Sequence, residues 1–157
     1  MTPVNVRGEA AQECLGRYFD ELAARFPEGY DRKGDGAAEL DGFTPPAGVF
    51  LLAQISGQSV GCGALRTFAP GIGEIKRMWV SPEFRGQGVA RKLLEGLEHA
   101  ARERGLRAVR LDTHSSLGEA LRLYRSAGYR EIPRFNGSPY AHHWFEKNLD
   151  SDRQSAC

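Results

Sequence analysis

Apolar residues recur along this chain with two periods, and each change of period marks a new element. From Glu9 onward, Ala11, Cys14, Leu15, Tyr18, Phe19, Leu22, Ala23 and Phe26 fall on one stripe at helical spacing, which predicts a core-facing helix halted by Pro27. Before it, Val4 and Val6 share one face of residues 2–7, a clipped edge strand. Residues 28–46 follow neither period and are rich in Gly, Asp and Pro, so they read as a long irregular connection of the functional or disordered kind. Residues 49–55 and 59–67 are apolar and β-branched and flank Ser56-Gly57-Gln58, which predicts a hairpin. A second turn at Ala69-Pro70-Gly71 returns the chain into a third antiparallel strand over 72–80. Val89, Ala90, Leu93, Leu94, Leu97, Ala100 and Ala101 then restore helical spacing as far as Gly105. Residues 107–113 follow as a strand, and a strand-helix-strand crossover makes it parallel to the strand before the helix. Ser116 with Glu119 reads as a capping box opening another helix, which carries Leu117, Ala120, Leu121 and Tyr124 on one face and closes at Gly128. Residues 129–133 and 141–149 read as the last two strands, with a loop over 134–140 between them and a frayed polar tail over 150–157.

Composition narrows what such a chain can be. A length of 157 residues buries one core without disulfides or metal, so residues 1–149 are expected to form a single domain. Lys and Arg total 21 against 20 Asp and Glu, which leaves no global field to draw the chain to nucleic acid or to an anionic membrane. No run approaches the ~20 apolar residues of a membrane span, and the expected location is the cytoplasm. Cys14, Cys62 and Cys157 are odd in number and widely spaced, which suits a reducing compartment and offers no Cys-x-x-Cys for metal or redox work.

Candidate chemistry gathers at Arg85-Gly86-Gln87-Gly88-Val89-Ala90, between the third strand and the helix it feeds. Two glycines at a helix start leave the first-turn N–H groups uncrowded and without intrahelical partners, a site suited to phosphate. A P-loop would need Lys-Ser or Lys-Thr after the last glycine, where Val89-Ala90 stands. A dinucleotide fingerprint gains Gly86-Gln87-Gly88 and Asp112 at the end of the next strand, but Arg91 occupies the third glycine position and the antiparallel start argues against that fold. Arg85, Gly88 and Ala90 instead fill (Arg or Gln)-x-x-Gly-x-(Gly or Ala). With the order of elements from about residue 49 to 149, this resembles the acyl-coenzyme A pyrophosphate loop of the GNAT superfamily of N-acetyltransferases.

The resemblance implies an α/β (α+β) fold: a mixed, mostly antiparallel twisted sheet flanked by helices, with one parallel strand pair splayed at the acyl-coenzyme A site. It implies that Arg85, Gly86, Gln87, Gly88, Val89, Ala90 and Arg91 hold the pyrophosphate and that the pantetheine arm pairs with backbone near Met78 and Val80. Leu123-Tyr124-Arg125-Ser126-Ala127-Gly128-Tyr129 matches the family pattern whose tyrosine is the usual general acid, so Tyr124 is a candidate against the plain alternative of a core aromatic. Glu74 is the first candidate for general base, against a solvated carboxylate paired with Lys76 or Arg77, and His114 the second, against a surface histidine. Leu117 stands seven residues before the motif tyrosine, where many members carry a cofactor-contacting asparagine. Residues 28–46 correspond to a region that often covers the acceptor, which makes Tyr30, Asp31, Arg32, Glu39, Asp41 and Phe43 candidates for reading the substrate. His142 lies in a late strand that suits an acceptor-pocket wall or a homodimer contact equally, and His142 and His143 face opposite sides, so they do not share a metal. The expected activity is direct acetyl transfer from acetyl-coenzyme A to the primary amine of a small molecule or amino acid, without metal or covalent intermediate. A protein amino-terminal or lysine acceptor, and a non-catalytic acyl-coenzyme A sensor, stay open.

Overall fold

The computed structural model describes residues 1–26, 37–115 and 117–150. Tyr30, the Ser116 capping box and the tail beyond Asp150 lie outside them. In chain order the elements are β1 (Thr2–Pro3), α1 (Glu9–Arg25), α2 (Ala37–Gly42), β2 (Gly48–Ile55), β3 (Gln58–Ala69), β4 (Ile72–Val80), a 3-10 turn (Pro82–Phe84), α3 (Val89–Glu103), β5 (Ala108–Thr113), α4 (Gly118–Ser126), β6 (Arg130–Ile132) and β7 (His143–Asn148). The short helix α2 falls where an irregular connection was expected, and the first strand spans two residues, with the Val4 N–H still donating to Phe50 O at 3.0 Å.

The strands form one sheet in the order β1-β2-β3-β4-β5-β7-β6, antiparallel throughout except for β4 beside β5. Alternation along β2 sorts its side chains between two cores. Val49, Leu51 and Ala53 pack toward α3, while Phe50 and Leu52 pack toward α1. On the α3 side Leu93, Leu94 and Leu97 are each at most 1% exposed, so truncating any one to Ala would cost about 2–5 kcal/mol. Phe43, expected at the acceptor site, is instead buried in the α1-side core, because α2 turns its ring inward against the sheet. Among the described residues no helix is long and apolar enough to cross a membrane.

Two irregularities in β4 create the site. Cys62 pairs with Trp79 and Ala64 with Lys76, so Arg77 and Met78 together oppose Gly63 in a bulge. Arg77 adopts φ 60, and the face switches there: Ile75 points to the α3 side, Trp79 to the α1 side. Gly63 lets Met78 and Leu97 close over it: an added Cβ would come to 2.9 Å from the Met78 sulfur and 2.8 Å from a Leu97 methyl, so these side chains would have to shift. Beside β5, β4 is paired only from Ile72 to Glu74, opposite Ala108 to Arg110. Beyond Glu74 the two strands part, β4 following its bulge and β5 following β7.

Candidate active site

The turn after β4 presents its backbone. Gly86 (φ 80) and Gly88 (φ 83) are left-handed, and a Cβ added at either would meet nothing within 4 Å, so the space in front of them is open. The first N–H of α3 to find a carbonyl is that of Lys92, on Gly88 O at 3.1 Å. The N–H groups of residues 87–91 have no described backbone partner. Gly88 of the turn and Val89, Ala90 and Arg91 of α3 line a cavity of about 310 Å³, with Met78 and Val80 of β4 and Leu117 and Tyr124 at α4. Donors without partners at a helix start, with room before them, fit a pyrophosphate.

Arg85, expected to add charge, lines the same cavity with its guanidinium already bonded. Its Nε donates to Val80 O at 2.9 Å and its guanidinium bonds Glu21 of α1 at 2.6 Å. Glu21 also accepts from Trp79 Nε1 at 3.1 Å and pairs with Arg25, which in turn bonds Glu119 of α4. Burial pulls the Glu21 carboxyl upward, but the bonds from Arg85 and Trp79 prevail and hold it below the ordinary range. Nothing in the glycine motif announces this brace between α1, the turn and α4.

A second cavity, about 520 Å³, opens where β4 and β5 have parted. Lys76 and Arg77 reach it from β4, Asp112 from β5 and His114 from just past its end, and Asn136 and Tyr140 from the loop between β6 and β7. The two cavities share part of their walls, at Tyr18, Leu22, Met78, Leu117, Ala120 and Tyr124. Leu117, standing where an asparagine was expected, thus closes the junction with apolar surface.

Tyr124 is 6% exposed and packs against Tyr129 and Phe145 at ring separations of 5.9 and 6.0 Å. Its hydroxyl takes no hydrogen bond from a described residue. Burial, and after it the charge of Asp112, raises the phenol well above its ordinary range, so Tyr124 stays protonated at any working pH.

Glu74 is fully buried and lines neither cavity. It was expected to be the general base, against a solvated carboxylate paired with Lys76 or Arg77. Cross-strand register sets Arg66 opposite it instead, and Glu74 Oε1 accepts from Arg66 Nε and Nη2 at 2.7 and 2.6 Å. Its other oxygen accepts from Asn136 Nδ2 at 2.9 Å, and the same amide nitrogen donates to Asp112 Oδ2 at 2.6 Å. Asn136 Oδ1 accepts from Trp144 Nε1 at 2.9 Å, which fixes the amide. Asp112 lies on the cavity wall, its carboxyl raised by burial against the lowering bond from Asn136, with the nearby charge of Glu74 adding to the rise. The sequence had shown Asp112 only as a dinucleotide-type acid at a strand end, and Asn136 sits in a loop with no periodic signal at all.

His114 is 4% exposed, not a surface residue: it lines the second cavity, stacked 4.1 Å from Phe26 and tilted 4.2 Å from His142. His142 is exposed and off both cavity walls, its Nδ1 accepting from Ser115 N–H at 3.2 Å. His143 turns to Glu131 at 3.0 Å. Of the residues weighed between 28 and 46, Glu39 reaches the cavity, paired with Arg77.

Residues 15–129 match the model of the Acetyltransferase (GNAT) family. A protein of Azospirillum brasilense named IAA acetyltransferase is 34% identical over 135 residues, 85% of this chain and 87% of that one. In fold the chain is similar to a GNAT-family acetyltransferase of Staphylococcus aureus Mu50, with TM-score 0.78 and 21% identity over 94% of this chain and 98% of that one. It is also similar to a GNAT acetyltransferase of Elizabethkingia anophelis solved with acetyl-CoA bound, with TM-score 0.64 and 17% identity over 94% and 95% of the two chains.

Proposed function

The chain belongs to the GNAT family of acetyltransferases, and from that premise we propose that it moves acetyl directly from acetyl-coenzyme A to the primary amine of a small molecule or amino acid. The observation that carries this reading is Tyr124, whose protonated phenol lies on the wall common to both cavities. Residues 87–91 hold the pyrophosphate through backbone N–H groups, with Gly86 and Gly88 leaving the approach clear. Met78 and Val80 lie where β4 has lost β5, and their backbone receives the pantetheine arm; an N–H in this stretch polarises the thioester carbonyl. The acceptor enters from the second cavity.

An ammonium loses two protons in becoming an amide. One passes to solvent through a base in the acceptor cavity, and the other comes off nitrogen as the C–S bond breaks, while Tyr124 gives its proton to the departing thiolate. A phenol raised above its ordinary ~10 gives a proton uphill to a thiolate of reference pKa about 8.5. Tyr124 therefore recovers a proton from the new amide nitrogen within the same step. For the base, His114 and Asp112 line the cavity directly, and Glu74 behind the wall acts on Asp112 by its charge, which raises the Asp112 carboxyl.

Purified protein incubated with acetyl-coenzyme A and a panel of primary amines is expected to release free thiol in step with N-acetylated product. Thiol release for no amine, by protein that binds acetyl-coenzyme A, would sink the reading and favour a sensor.

A further inference from the structure

Charge on the wall of the second cavity is nearly all matched. Arg77 is paired with Glu39, and Arg66 with the buried Glu74 behind the wall. Two groups are left over. Lys76, half-buried on the bulged strand, has no ion-pair partner among the described residues. Asp112, across the gap on β5, receives a hydrogen bond from the neutral Asn136 amide and no ion pair from the described residues. The two are near enough for the ammonium to act on the carboxylate, yet no salt bridge joins them. One positive and one negative group thus face the same cavity, each short of a counter-ion, in surroundings where partial burial makes an unmatched charge costly.

We infer that this cavity is built for an acceptor that carries a carboxylate beside its amine, Lys76 receiving the carboxylate and Asp112 the ammonium. A zwitterion of zero net charge completes both pairs. A plain amine would leave Lys76 unmatched, and a phosphorylated amine would bring a second negative charge that no described wall residue remains to meet. Tyr18, Leu22, Phe26 and Tyr140 supply apolar surface for the rest of the molecule, so the class is an amino acid with an apolar side chain. Asp112 also lies close enough to raise the Tyr124 phenol by its charge, so an ammonium held at Asp112 sits beside the group that protonates the leaving thiolate. This assignment rests on the acetyl-transfer reading above.

Three matched acceptors test it: leucine, leucine methyl ester and 3-methylbutylamine. Wild type is expected to prefer leucine, and Lys76→Met to raise KM for leucine about 10-fold or more, leaving kcat little changed and the ester and amine unaffected. Lys76→Arg should recover part of the loss. Equal use of all three by wild type, or an equal effect of Lys76→Met on all three, overturns the inference. Calorimetric titration of leucine into protein saturated with coenzyme A separates the two claims. Leucine binding that depends on Lys76 without turnover of any amine would keep the subsite and remove the transfer reading, whereas amine turnover with no carboxylate preference would do the reverse.

Discussion

Replacing Tyr124 with Phe removes one oxygen and leaves the ring between Tyr129 and Phe145. The hydroxyl takes no hydrogen bond from a described residue, so its loss deletes none of the internal bonds that are worth about 1 kcal/mol net. Stability is therefore expected to move by less than that, which for a domain of this size is less than about 2–4 °C in Tm. Turnover should behave differently. General acid catalysis contributes about 10²- to 10⁴-fold, and the low end corresponds to about 2.7 kcal/mol in the barrier. A stability change below 1 kcal/mol leaves a domain of ordinary stability almost wholly folded, so unfolding could not imitate a 10²-fold loss. The assay is single-turnover thiol release at saturating acetyl-coenzyme A, with Tm and coenzyme A affinity measured on the same preparation. Turnover within about threefold of wild type would refute the role of Tyr124 as acid.

Ala90→Glu sets a carboxylate on the cavity wall at the start of α3 without demanding a left-handed backbone, unlike Gly88→Glu, and should abolish coenzyme A binding by calorimetry while Tm holds. Asp112→Asn should lower turnover and raise Tm at pH 7. The Asp112 carboxyl is raised in the fold, so its favourable contribution is complete below the unfolded value of about 4 and is lost as pH rises through the folded one; the Tm gain of the variant should therefore fade as pH approaches 4. His114→Gln, profiled beside it, should leave the acidic limb of the rate profile in place if Asp112 is the base and abolish it if the imidazole is.

The sheet was legible because most strands pack on both faces or pair through short turns, and the apolar period carries that information. Ser56 and Gly57 both take positive φ, as a type I′ hairpin turn requires, and the chain announced it with a glycine. The glycine turn before α3 was legible for the same reason, since its glycines and the motif around Tyr124 are local. The second cavity was not. The bulge at Arg77 reverses which side chains face the gap, and no residue type in Lys76-Arg77-Met78 signals it. Asn136 comes from a loop distant in sequence, so the bridge from Glu74 to Asp112 exists only once β7 has packed between β5 and β6. Phe43 was misplaced because an aromatic in an aperiodic stretch looks like a ligand reader until α2 folds it into the core.

Whether chemistry occurs where the two cavities meet is decided by the crystal structure of the protein with coenzyme A joined through a two-carbon linker to the amine of leucine. The pyrophosphate is expected against the N–H groups of residues 87–91, the sulfur within hydrogen-bond distance of the Tyr124 hydroxyl, and the leucine part in the cavity walled by Lys76 and Asp112. A conjugate whose sulfur lies away from Tyr124, or whose leucine part lies outside that cavity, would contradict that placement.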